Sequence, residues 1–144
     1  MKIISHRGNI DGPDLEKENS PEFILQAISQ GYDVEIDVWL IDGKIMLGHD
    51  NPTHLVSAEF LKNDNLWCHS KNLQALHYML DNDIHCFWHQ DDDQTITSRG
   101  FIWTHSKTKT MTTKSIACWI DGVGEYPKDC FGICTDFPKK IFDL

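Results

Sequence analysis

Along the first half of the chain, apolar positions switch between strand-like and helix-like spacing. Residues 2–5 are a short, largely apolar run that reads as a strand, and a loop rich in Gly and Asp follows. Ser20-Pro21 opens a helix, with Ser as N-cap and Pro in the first turn; Phe23, Ile24, Ala27 and Ile28 give it one apolar face, and Gly31 ends it. Residues 33–40 read as a strand, Asp42-Gly43 as a hairpin-type turn and residues 44–49 as the returning strand. The pattern then predicts a short helix over 57–61 and a strand over 66–69. Asn72 caps a further helix, carrying Leu73, Leu76, Met79 and Leu80 at helical spacing. Strands are predicted over 84–89, 100–104, 116–120 and 131–135, and the Thr- and Lys-rich stretch 104–115 reads as a surface loop.

Strand, helix, strand in succession predicts an α/β fold with a largely parallel sheet or barrel, as one domain over residues 1–144. Length constrains that picture. Eight barrel units would have 144/8 = 18 residues each, less than a strand of ~5 residues, a helix of ~11 and two loops require. A TIM-type (β/α) barrel here is therefore shortened, with several helices reduced or missing. The losses are expected in the second half, where helical signals fade.

The charge is acidic: 13 Lys and Arg against 22 Asp and Glu give 13 − 22 = −9. This excludes a nucleic-acid backbone or an anionic membrane surface as the main partner, and leaves room for a small anion held by a few local cations. No run approaches the ~20 apolar residues of a membrane span, so no stable membrane insertion is expected. The start turns polar after Ile3-Ile4 and has no signal-peptide core. With five scattered cysteines (Cys68, Cys86, Cys118, Cys130, Cys134), this predicts reduced thiols in a cytoplasmic protein, acting as small buried hydrophobes rather than as structural zinc ligands.

The chemistry concentrates near the first strands. Residues 33–38 read Asp-Val-Glu-Ile-Asp-Val, so Asp33, Glu35 and Asp37 share one strand face and Val34, Ile36 and Val38 the other. Such a face either points to water or is relieved of its repulsion by a hard cation or cationic partners. His6-Arg7 ends the first strand and His49 ends the returning one. Together these residues supply two imidazoles for proton transfer, a guanidinium for an anion and a carboxylate pair for a metal, the equipment for cleaving a phosphodiester.

The ordered set His6-Arg7-Gly8, Glu18-Asn19-Ser20-Pro21, Gly31, Glu35-Ile36-Asp37-Val38, Asp42-Gly43 and His49-Asp50 resembles the glycerophosphodiester phosphodiesterases, of the wider phospholipase-C-like phosphodiesterase superfamily. The likeness is dense over about the first 50 residues. It is sparse afterwards, and returns weakly in the closing Gly132-Ile133-Cys134-Thr135-Asp136-Phe137-Pro138. The resemblance implies an unusually short member of that family, hydrolysing a glycerophosphodiester-like small molecule at the C-terminal ends of barrel strands. It implies His6 and His49 as the general acid and base, Glu35 and Asp37 as ligands of a divalent metal (Mg or Ca), Glu18 near that metal, and Arg7 on the phosphate.

One departure stands out. Where the family has Glu-x-Lys on the next core strand, this chain has His69-Ser70-Lys71. Lys71 matches as a phosphate contact. His69 takes the carboxylate's place as a ligand, which implies weaker Mg or Ca binding or a more nitrogen-tolerant ion. His89, at a later strand end, is a candidate to reach the substrate, and Trp103, at another, either packs in the core or walls a substrate moiety; His54, His77, His85 and His105 are expected to have no catalytic role, and Asp136 to support the rim. The competing readings are a catalytically degenerate barrel that binds a phosphorylated ligand and an amidohydrolase-like metal hydrolase. The latter chemistry usually starts from His-x-His on the first strand, where this chain has His6-Arg7-Gly8. Apolar sheet surface left by missing helices is a place for a partner subunit, hence a homo-oligomer.

Overall fold

The computed structural model describes residues 1–142. Strands β1 (Lys2–His6), β2 (Asp33–Ile41), β5 (Leu66–Ser70), β6 (Cys86–Phe87), β8 (Ile102–Thr104), β9 (Ser115–Cys118) and β10 (Gly132–Thr135) pair in parallel in the order β6-β5-β2-β1-β10-β9-β8. Antiparallel strands extend this sheet: β3 (Lys44–Leu47) on the far end of β2, β4 (His54–Val56) on β3, and β7 (Gln94–Ile96) on β8.

The sheet curls. From β5 to β8 there are five steps along the parallel order, about 24 Å in a flat sheet. Yet the rings of Trp67 on β5 and Trp103 on β8 are 6.0 Å apart, and Phe87 on β6 stacks on Trp103 at 4.4 Å. Ile4, Trp67, Phe87, Trp103, Ile116, Cys118 and Cys134, contributed by six of the parallel strands, form one inner cluster. Burying these aromatic faces against each other holds the two ends of the sheet together.

The outer face carries the helices. Val34, Ile36 and Val38 pack with Ile24 and Ala27 of α1 (Pro21–Ser29), Leu61 of α2 (Ala58–Leu61), and Ala75 and Met79 of α3 (Leu73–Asp81). Each of these helices starts at a side-chain cap: Ser20 accepts from Phe23 N, Ser57 from Phe60 N and Asn72 from Ala75 N. Beyond Asp81 the described residues hold one helix, α4 (Pro138–Phe142), so helices are sparse in the second half, where helical signals fade. No helix of the described residues is long and apolar enough to cross a membrane. The cysteines are free thiols, four of them buried.

The expected elements recur with shifted ends. The strand expected over 84–89 is reduced to Cys86–Phe87; past Phe87 the Trp88 carbonyl is met by the Thr95 hydroxyl at 2.9 Å, not by a strand. The short strands β4 and β7 and helix α4 are additional. At three to five residues they are too short for a periodic signal.

Candidate active site

Register builds the site. In the parallel ladders His6 is paired with Glu35, Glu35 with Trp67, Asp37 with His69, and His69 with Phe87. Paired residues of neighbouring parallel strands point to the same face. His6, Glu35, Asp37 and His69 therefore converge inside the curl, at the C-terminal ends of β1, β2 and β5. The acidic face of β2 points inward and its valines outward: Glu35 is 3% and Asp37 1% exposed.

Asp33 is neutralised locally. It accepts from the Trp67 indole and the Asn65 amide, each at 2.9 Å, and lies 3.5 Å from the Lys2 amine. Asp37 is tied on one side only, its Oδ2 accepting from Asn19 Nδ2 at 2.9 Å while Asn19 Oδ1 takes the Asp37 backbone N–H. His69 Nδ1 lies 3.3 Å from Asp37 Oδ1 and 3.8 Å from Glu35 Oε1. Buried Glu35 Oε2 and Asp37 Oδ1 have no hydrogen-bond partner. Donor atoms of Glu35, Asp37 and His69 all lie within 4.8 Å of one another, the spread that ligands ~2.0–2.6 Å from one ion span. Orphaned buried carboxylate oxygens are costly, and a divalent cation satisfies them; the donor set fits one.

Electrostatics separate the two carboxyls. Burial, reinforced by the neighbouring Asp37 charge, raises Glu35 well above the usual carboxylate range, against the pull of Arg7 and Lys71. Burial acts to raise Asp37 too, but His69, the Asn19 amide and Arg7 outweigh it and hold Asp37 at about 2.

Around this cluster the partners are specific. His6 Nδ1 is 2.7 Å from Asp136 Oδ1, and its Nε2 faces Glu35 Oε2 at 3.8 Å. Asn9 Nδ2 donates to Asp136 (2.9 Å) and to Glu18 (3.0 Å). Arg7 holds Glu18 through NH1 at 3.2 Å and approaches Asp37 through Nε at 3.3 Å. Glu18 thus stands behind Arg7, outside the three-ligand group. Arg7 and Asn19 both have left-handed backbones, φ 59 and φ 63. Arg7 accepts this because its N–H bonds the Glu35 carbonyl and its carbonyl takes the Asn19 N–H.

The other expected residues lie around the rim or beneath it. Lys71 follows β5 and acts on Glu35 by charge. His89 holds His69 in place, its carbonyl 3.0 Å from His69 Nε2. His49 follows Gly48, whose N–H bonds the Asp37 carbonyl, but its ring pairs with Asp50 and is 41% exposed, turned out from the cluster. Trp103 is 3% exposed and forms floor beneath the site rather than a wall at its mouth. Asn9 was missed by the sequence reading. His105, expected to have no catalytic role, directly follows β8 and is stacked edge-on against His89 at 4.2 Å. Burial, helped by His89, His69 and His6, lowers its basicity.

No protein-family model matches the chain, and no curated protein or solved structure is significantly similar to it.

Proposed function

We propose that the curled sheet is a shortened TIM-type (β/α) barrel and that its C-terminal rim hydrolyses a phosphodiester bond of a glycerophosphodiester-like small molecule. One observation carries this reading: an Asp136-backed His6 faces the buried Glu35, Asp37 and His69 cluster, with Arg7 alongside. An acid/base imidazole, a cation site and an anion-binding guanidinium within one cluster serve phosphodiester chemistry better than they serve packing.

Glu35, Asp37 and His69 would hold the divalent cation, which would supply positive charge to offset that developing on the phosphate oxygens. Arg7 and Lys71 bind the same phosphate from the strand ends. With Nδ1 of His6 engaged by Asp136, its Nε2 is the atom that takes or gives a proton at the reacting oxygen. His49, on the rim beside the Asp37 carbonyl, serves the second proton transfer after turning inward from Asp50. The Phe87 and Trp103 floor excludes water from below.

Phosphorus NMR of a glycerophosphodiester panel, with divalent ions or chelator, tests the proposal. Expected is metal-dependent product that His6→Ala and His49→Ala each slow by ~10²–10⁴-fold without loss of fold. Full turnover by a folded His6→Ala protein refutes the assignment. Arg7's engagement by two carboxylates and the outward His49 favour the second reading, a binding module for a phosphorylated ligand. That reading predicts ligand protection against heat with no product from any ester.

A further inference from the structure

The His69 ring is fixed in a way that decides which of its nitrogens can bind a cation. Its Nε2 is 3.0 Å from the His89 carbonyl oxygen. A carbonyl only accepts, so Nε2 carries the hydrogen. The ring also stacks on Phe87 at 5.1 Å with 11° between planes, which resists rotation. In the neutral imidazole the lone pair is then on Nδ1, aimed at Asp37 Oδ1 and Glu35 Oε1, at 3.3 and 3.8 Å. A lone pair facing two carboxylates is repulsive unless a positive centre lies among them. Because Asn19 occupies Asp37 Oδ2, the unpartnered Oδ1 is the atom left for that centre, together with the unpartnered Glu35 Oε2.

Resting on the cation site of the proposed phosphodiesterase, we infer that His69 is a direct nitrogen ligand and that the site selects a nitrogen-tolerant transition ion, of the Mn²⁺, Co²⁺ or Zn²⁺ kind, over Mg²⁺ and Ca²⁺. Two oxygens and one imidazole nitrogen suit these ions, whereas magnesium and calcium take oxygen. A backbone carbonyl accepting from the far ring nitrogen is the usual support of a metal-bound histidine, since it fixes the tautomer and raises the donor strength of the other nitrogen. This departs from the Mg or Ca that the resemblance implies, and the residue at position 69 is the reason.

The test uses the chelator-treated full chain without substrate. Calorimetric titration with MnCl₂ and with MgCl₂ is run on the natural protein and on His69→Glu, each checked for fold by circular dichroism. The ratio of Mn²⁺ to Mg²⁺ affinity is expected to fall by about tenfold or more in the variant. Pulsed electron paramagnetic resonance of Mn²⁺ on the natural protein is expected to show a directly coordinated imidazole nitrogen, a readout that needs no variant. An unchanged ratio in folded His69→Glu, no nitrogen coupling, or no ion bound at all overturns the inference. An inactive protein that binds Mn²⁺ through nitrogen upholds it and counts only against the phosphodiesterase reading. Hydrolysis supported by Mg²⁺ with no nitrogen coupling does the reverse.

Discussion

Glu35 has a raised carboxyl because burial and the Asp37 charge disfavour its ionised form. Without a cation the folded chain therefore holds a proton there that the unfolded chain releases. Stability falls as pH rises from the ordinary carboxylate value through the raised one. Glu35→Gln keeps the shape and removes the charge, so in chelator at pH 8 it is expected to raise the melting temperature by a few degrees. The same variant is expected to lose stabilisation by added divalent ion, read in one thermal scan with and without metal. His85 works in the opposite direction. Burial and Arg99 lower it from 6.5 to about 4, outweighing Asp33, and Thr97 Oγ1 lies 2.9 Å from its Nε2. The unfolded chain takes up a proton first, so stability is complete above pH 6.5 and is lost as pH falls towards 4. His85→Gln is expected to flatten that acid limb in urea melts at stepped pH; an unaltered limb assigns the acid sensitivity elsewhere.

At the scale of elements, β2 does two tasks at once. Its first residues pair with β1 and its middle with β5, and its end, Val38 to Ile41, turns back through Asp42-Gly43 into β3. That return delivers His49 to the rim, and Gly48 makes the last bend. A Cβ there, at φ +153, would lie 1.8 Å from the Asn51 carbonyl oxygen, whereas Gly43 at φ +75 has nothing within 4 Å. Gly48→Ala is expected to cost about 2 kcal/mol or more in a denaturant titration and Gly43→Ala about 1 kcal/mol; equal losses would show that the loop yields freely. The hairpin and helices α1 and α3 were legible beforehand because each has its own punctuation: Asp42-Gly43, Ser20-Pro21 and Asn72. The second half was less legible. Its strands are two to four residues long and are held by cross-strand partners rather than by local pattern.

At the scale of the molecule, closure of the curl rests on Phe87, which stacks on Trp103 at 4.4 Å and on His69 at 5.1 Å. It joins the aromatic floor to the candidate cation site. Phe87→Ala is expected to destabilise the fold by about 3–5 kcal/mol and, in the fraction that stays folded, to loosen His69. Metal-induced stabilisation should then fall further than in a truncation remote from the site such as Leu61→Ala, compared by thermal shift with and without MnCl₂. Equal metal responses in the two variants would separate floor from site.

The order of chemical residues, the two faces of β2 and the helix starts were all determined by the chain itself, since turns, caps and a period of two act between near neighbours. Which face of β2 is inside was not. Alternation distinguishes two faces without saying which is buried, and only curling of the sheet turned Glu35 and Asp37 inward. Tertiary structure alone brought Asp136 to His6 across 130 positions of chain. It also set Glu18 behind Arg7, placed Trp103 beneath the site and left the His49 ring turned outward. These are outcomes of register and closure, where pairings distant in sequence compete in one enclosed space, and no local pattern encodes which of them prevails.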